Sequence, residues 1–276
     1  MLRLEGVKPD CHRSLGLELT GTRNPRTALA ALDFYPKTGR LVLAELDATL
    51  GEEAEKTSDQ ALLEALRSYS SDFEVTGLSI HAPTSLPPWF KHGSLENEET
   101  RWMESLWTKL KPQPKPFLPY LQRPVEVWLR HCTSERFQIP DGLGSNGAPL
   151  AARVQFLLKS LPGPLNESYP RATITRLVHS LELSPKWALL YTDLERGVET
   201  RDAFLTNLCR KLPQIFIYEK DYETLVMELQ AFQAFLSALN QHLLFRKQTE
   251  NRPEGFPKEA AWIAIPRRSV LWDKVF

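Results

Sequence analysis

The sequence predicts an α/β protein: a mixed sheet with an antiparallel β-hairpin region, flanking helices and a helical insertion. Three observations carry that reading. Residues 27–35 and 40–46 are strand-like runs separated by Pro36-Lys37-Thr38-Gly39, strong turn chemistry, so they pair as a hairpin. A helix and a further strand follow, over 59–69 and 73–80, and that strand–helix–strand passage implies a mixed sheet with a helix on its face. Beyond residue 96 the chain carries helical periodicity, interrupted by proline-rich connections.

The elements follow in order. Residues 15–19 (Leu-Gly-Leu-Glu-Leu) alternate as a strand does and open the sheet. The stretch Asp47 to Thr57 is acidic and polar and reads as a linker. Ser58 is a candidate N-cap for the helix Asp59 to Tyr69, which sets Leu62, Leu63 and Leu66 on one side. The fourth strand, Phe73 to Ile80, breaks at His81-Ala82-Pro83 into a loop at its C-terminal end, where open α/β sheets place ligands. Glu96 to Leu110 is helical, with Trp102, Met103, Leu106 and Trp107 on one face. Five prolines make 111–124 extended, and Pro124 starts a helix running to about Cys132.

Gly142, Gly144 and Gly147 mark a flexible loop before a helix over Pro149 to Leu161. Asn166 to Pro170 reads as the end of a short buried strand or a tight corner, and Arg171 to Leu181 as a helix. Residues 186–212 are mostly helical, Asp221 to Leu244 is the longest helical run, and Ala261 to Ile265 forms a small edge element. Residues 85–165 are expected as a helical insertion into the sheet domain.

Composition bounds the function. The 276 residues carry 34 basic and 34 acidic side chains, a formal charge of zero, which argues against a broad polyelectrolyte binder but leaves room for a local basic patch. Cys11, Cys132 and Cys209 are far apart and odd in number, which predicts reduced, buried thiols and a cytoplasmic protein rather than a disulfide framework. No stretch approaches ~20 apolar residues and the first residues lack a signal-peptide core, so no membrane partner is expected. Oligomeric state is not readable.

One local patch stands out. Residues 101–136 hold seven Lys or Arg against three acids, interleaved with Trp102, Trp107, Phe117, Tyr120 and Trp128. Cations bind phosphates and aromatic faces stack on bases, which is how single strands are held. Arg101, Lys109, Lys111, Lys115, Arg123 and Trp128 are therefore candidate nucleic-acid-binding residues. The alternative is an amphipathic helix pair with core tryptophans and solvated charges.

Several motifs together resemble a known family. They are Leu-Gly-Leu-Glu-Leu-Thr-Gly-Thr at 15–22, Ile80-His81-Ala82-Pro83 followed by Leu86-Pro87, and Glu167-Ser168-Tyr169-Pro170-Arg171. The long helix from Asp221 and the closing Glu254-Gly255-Phe256-Pro257…Ala261-Trp262-Ile263-Ala264-Ile265-Pro266 complete the set. Their order resembles the RNase H-like fold, and in particular the predicted nucleases grouped as domain-of-unknown-function family 429. The resemblance implies a single RNase H-like domain over 1–276 that hydrolyses phosphodiester bonds with Mg²⁺ or Mn²⁺ and takes nucleic acid as its partner. In such chemistry two cations about 3.5–4 Å apart stabilise the attacking and leaving oxygens, and hard cations demand converging carboxylates.

Carried over by position, Glu18 stands where the family has a first-strand aspartate, and its carboxylate is one methylene further out. His81 stands where the family has the aspartate of Asp-Ala-Pro, and imidazole suits Zn²⁺ or Mn²⁺ better than Mg²⁺. Glu167 keeps its carboxylate. The last helix offers Asp221, Glu223 and Glu228. The resemblance thus gives Glu18, His81, Glu167 and Glu223 as the catalytic set, and Glu18, Glu167, Glu223 and Glu228 as metal ligands. Each also has a plain structural reading: a solvent-facing strand acid for Glu18, a loop-bonded histidine for His81, a local partner of Arg171 for Glu167, and dipole-favoured acids for Glu223 and Glu228. The rival function is a catalytically inactive RNase H-like scaffold that binds nucleic acid or protein.

Overall fold

The computed structural model describes residues 10–21, 27–50, 58–144 and 147–276. Its strands are β1 (His12–Glu18), β2 (Thr27–Tyr35), β3 (Arg40–Leu50), β4 (Glu74–Ile80), β5 (Leu165–Ser168), β6 (Ile215–Phe216) and β7 (Ile263–Ala264). Among the described residues these form one mixed sheet in the order β6-β3-β2-β1-β4-β5-β7. β1, β2 and β3 run antiparallel, and β4 joins β1, β5 joins β4, β7 joins β5 and β6 joins β3 in parallel. The predicted hairpin is present: Thr38 and Gly39 donate their amides to Tyr35 O at 3.1 and 2.9 Å.

Two strands run further than their patterns indicate. β1 begins at His12 and includes Arg13, which lies opposite Asp33 and holds it through two 2.7 Å hydrogen bonds. A buried ion pair fills two positions where alternation calls for apolar residues. β3 continues to Leu50 through the expected linker, because Asp47 and Leu50 still find partners in β2 and Asp47 accepts a 2.7 Å bond from the Tyr69 hydroxyl. The rest of that linker, residues 51–57, and the side chain of Ser58 lie outside the described residues, as does Thr22 of the first motif.

The sheet is covered on both faces. On one side α1 (Ser58–Ser70) and α5 (Gly147–Leu157) pack Leu62, Leu66, Val154 and Leu157 against Leu15, Leu17, Leu29, Ala31, Leu78 and Ile80. On the other side α6 (Pro170–Ser180), α7 (Lys186–Leu190), α8 (Gly197–Lys211), α9 (Glu219–Met227) and α10 (Leu229–Phe245) pack against Ala28, Ala30, Leu32, Phe34, Leu41 and Leu43. β2 thus feeds one core with its even positions and the other with its odd ones, the signature of a strand buried on both faces. α10 lies directly on β1. A Cβ on Gly16 would stand 2.1 Å from Ala238 N and 2.2 Å from Ala234 O, so only glycine lets the helix backbone come this close.

The longest helical run is two helices, not one. Glu228 is extended (φ −102°, ψ 110°) and separates α9 from α10. The break comes from across the fold: Arg201 donates to Val226 O at 2.8 Å and Met227 O at 3.2 Å, satisfying the terminal carbonyls of α9.

Between β4 and β5 the chain forms α2 (Pro88–His92), α3 (Glu98–Lys109), α4 (Pro124–His131) and α5. α3 and α4 join a third apolar cluster in which Val125, Leu129, Phe137 and Ile139 meet Tyr169, Phe256, Ile263 and Ile265. Of the cysteines only Cys11 is buried; Cys132 is exposed and Cys209 half-buried, which corrects the expectation of three buried thiols. Among the described residues no helix is long and apolar enough to cross a membrane.

Candidate functional site at the ends of three adjacent strands

Parallel register brings the site together. Leu17 of β1 is level with Ile80 of β4, and Ile80 with Glu167 of β5. Glu18, His81 and Glu167 therefore leave the same end of three neighbouring strands. The His81 amide donates to Leu17 O at 3.0 Å, extending the ladder one residue past the strand and fixing the ring's position.

Each carboxylate already has a hydrogen-bond donor beside it. His81 Nδ1 lies 3.0 and 2.8 Å from the two Glu18 oxygens, so this ring nitrogen donates to the carboxylate. Burial works against a charged imidazole, but attraction to Glu18 and the hydrogen bond outweigh it, and the His81 pKa sits above the ordinary histidine value. Glu167 Oε1 accepts from the Thr84 amide, the Thr84 hydroxyl and an Arg123 nitrogen, each at 2.6 Å, and Oε2 accepts from Arg123 at 3.0 Å. This is the bidentate fork that guanidinium geometry favours.

Arg123 also faces a second acid. Its Nε donates to Glu126 Oε1 at 2.8 Å, and its backbone amide to Glu126 Oε2 at 2.9 Å. The second bond is half of a capping box, with Arg123 as N-cap of α4, Pro124 at its first position and Glu126 at its third. Arg123, Glu126 and Glu167 are 3%, 1% and 3% exposed. Burial alone would weaken the guanidinium's charge, yet the two carboxylates raise its pKa further above the usual arginine value. Burial pushes the Glu126 carboxyl up, with Arg123 pulling it back. Gly142 makes room for the pair: a Cβ there would stand 2.9 Å from Glu126 Oε1 and 3.0 Å from Arg123 Nε.

His81, Arg123, Glu126 and Glu167 border a cavity of about 370 Å³. Its walls are mostly apolar, with Pro83, Ile139, Leu150, Tyr169 and Ile263, while His81, Arg123 and Glu167 supply polar edges. The Tyr169 ring lies 5.8 Å from that of His81. With Nδ1 committed to Glu18, Nε2 is the His81 atom left to meet a ligand. A carboxylate that orients an imidazole in this way prepares it for proton transfer.

The structure brings together Glu18, His81 and Glu167 and leaves the helix acids apart. Glu223 is exposed on α9, and Glu228 is exposed at the α9–α10 junction, with Arg201 as its electrostatic partner. Among the described residues no three His, Cys, Asp or Glu side chains gather closely enough to hold a metal ion. As arranged, the donor set does not fit one: the Glu18 oxygens face an imidazole hydrogen-bond donor, and the Glu167 oxygens face a guanidinium and Thr84. A divalent cation would have to expel a buried arginine to reach Glu167.

Two expected surface residues are taken up by the fold. Arg123 is buried in the site rather than open to phosphates, and the half-buried Trp128 packs 4.9 Å from Trp262 against the third apolar cluster. Arg101, Lys109, Lys111 and Lys115 are exposed as expected. Thr84 and Glu126 were not among the sequence-derived candidates. Glu126 carried one local signal, its place three residues after the N-cap; Thr84 carried none. Comparisons with family models, with curated proteins and with solved structures give no match, so the site rests on its own geometry.

Proposed function

We propose that this chain is an RNase H-like protein of the predicted-nuclease kind whose strand-end site works without a bound metal, as a binding site rather than a two-metal phosphodiesterase. The observation that carries this reading is that every acid of the site is already engaged: Glu18 by the His81 ring, and Glu167 and Glu126 by Arg123. The strand order β3-β2-β1-β4-β5, antiparallel then parallel, supports the RNase H-like frame. In this reading the side chains at nuclease-type positions bind through fixed internal charges. His81 is the one group at the cavity with a free ring nitrogen for hydrogen bonding or proton transfer.

A second reading keeps metal-dependent hydrolysis, with Glu18 and Glu167 as ligands of Mg²⁺ or Mn²⁺ and nucleic acid as substrate. The observation favouring it is that both acids stand at the same end of β1 and β5, the two strands flanking β4. Calorimetric titration with Mg²⁺ and Mn²⁺, beside cleavage assays on single- and double-stranded DNA and RNA, separates the two. The first reading expects neither saturable binding in the range of carboxylate sites nor cleavage. Metal-dependent cleavage that Glu18→Gln and Glu167→Gln both abolish overturns it. His81→Asp, which frees Glu18 and adds a carboxylate, is expected to raise Mn²⁺ affinity; no gain would count against the nuclease-type frame itself.

A further inference from the structure

The strand-end site leaves unused the most concentrated surface chemistry of the chain. Between Ser105 and Val125 there is no Asp or Glu. Lys109, Lys111 and Lys115 in that run are exposed, as is Arg101 on α3, and none of the four makes an ion pair among the described residues. Exposed aromatic rings lie on α2 and on the same proline-rich segment. Trp89 is 42%, Phe90 57% and Tyr120 48% exposed. The Trp89 amide donates to Pro119 O at 3.1 Å, which holds α2 against the proline-rich segment and sets Trp89 next to Tyr120.

A groove of about 250 Å³ opens between α3 and this segment, walled by Trp107, Phe117, Pro116 and Pro119, with the exposed Glu104 as the one acid on its rim. The Trp107 indole is fixed by a 2.9 Å bond from Nε1 to Pro114 O. Thr100, 4% exposed, also lines the groove, and its hydroxyl has no hydrogen-bond partner.

We infer that this face binds a single-stranded nucleic acid. Lys109, Lys111 and Lys115 meet its phosphates, Trp89 and Tyr120 stack on its bases, and the Trp107–Phe117 groove takes a further base. Unpaired cations call for an anionic partner, and exposed rings call for unstacked planar groups; a single strand offers both along one chain. An acidic peptide would satisfy the lysines but leave the rings without planar partners. A duplex keeps its base faces stacked. The segment then continues through Gln122, bonded at 3.0 Å to Asp141 on the cavity rim, to Arg123 in the cavity wall. The track therefore leads to the strand-end site, yet its chemistry does not depend on whether that site holds a metal.

The test is fluorescence anisotropy of the full chain with fluorescein-labelled dT15, rU15 and a duplex of equal length, across about 50–200 mM NaCl. Single strands are expected to bind more tightly than the duplex. Each phosphate contact contributes roughly −0.7 to the slope of log K against log salt, so the triple Lys109→Gln, Lys111→Gln, Lys115→Gln variant is expected to lower the slope by about 2. Trp89→Ala and Tyr120→Ala should each weaken binding about fivefold or more at unchanged slope, and Tyr120→Phe should retain it. Duplex binding as tight as single-strand binding, an unaltered slope in the triple variant, or binding to phosphatidylserine vesicles with none to either oligonucleotide overturns the proposal. All these positions are exposed, and a thermal melt of each variant separates lost binding from lost folding.

Discussion

Arg123→Met tests the buried ion triad directly. Methionine keeps much of the stem volume but removes the cation between Glu126 and Glu167, and all three residues are under 5% exposed, so water cannot make up the loss. Removing one partner of a buried pair costs about 3–5 kcal/mol, because the remaining charge stays desolvated and uncompensated. Two carboxylates share Arg123, which puts the expectation at the upper end, about 5 kcal/mol. Thr84 still donates twice to Glu167, so Glu126 is the more exposed to the loss. Urea denaturation at pH 7 measures the cost.

The pH dependence supplies a second check. In the variant, burial without a cation raises the folded-state pKa of Glu126 further above its unfolded value. A raised pKa contributes stability below the unfolded value and loses it as pH rises through the folded one, so the variant should regain stability on going from pH 7 to pH 5 relative to wild type. Adding Glu126→Gln and Glu167→Gln should recover most of the loss, since neutral groups carry a far smaller desolvation penalty. A cost under about 1 kcal/mol at pH 7, with no relative gain at pH 5, would refute a triad held by charge.

Two further outcomes follow from packing and burial. His242 is buried against Phe34, with ring centroids 5.0 Å apart, and burial, opposed by its bond to Val275 O, lowers its pKa to about 4. A histidine kept neutral in the fold contributes stability fully present above about pH 6.5 and lost as pH falls through 4, in all about 3 kcal/mol; the stability difference between wild type and His242→Gln, followed by urea denaturation from pH 7 to 4.5, should shrink by about 2 kcal/mol, and a difference constant with pH would contradict it. Gly16→Ala drives a methyl into the α10 backbone and should cost at least about 3 kcal/mol, while Gly93→Ala, at φ +64° with no atom within 4 Å, should cost about 1 kcal/mol; equal melting temperatures for the two variants would contradict the close approach of α10 to β1.

The strand–hairpin–helix–strand frame was legible because it rests on local chemistry: alternation in 15–19, the Pro36–Gly39 turn, and leucines at helical spacing in 59–69. The neighbourhood of Glu18, His81 and Glu167 came from the family resemblance, which placed each at or next to a strand end. What was hidden depends on distant partners. Arg123 reads as a surface cation because nothing near it in sequence announces Glu167, 44 residues away. The break at Glu228 is made by Arg201, and β6, two residues long at the sheet edge, exists only through its pairing with β3. The resemblance predicted a carboxylate from the last helix, but the acids it offered sit at or before the start of α10, away from the cavity.

The Arg123–Glu167 bridge has a mechanical consequence. One partner opens α4, in the helices that follow β4, and the other belongs to β5, the strand that closes that excursion. The bridge therefore pins the loop shut at its far end, and the cavity lies between the pinned pieces. Widening the opening means pulling a guanidinium off a carboxylate in a dry setting, so the cavity should resist small adjustments and yield all at once. Amides of α4 and β5 are then expected to exchange with solvent as one cooperative unit, and a ligand too large for about 370 Å³ should find a closed door rather than a stretched one.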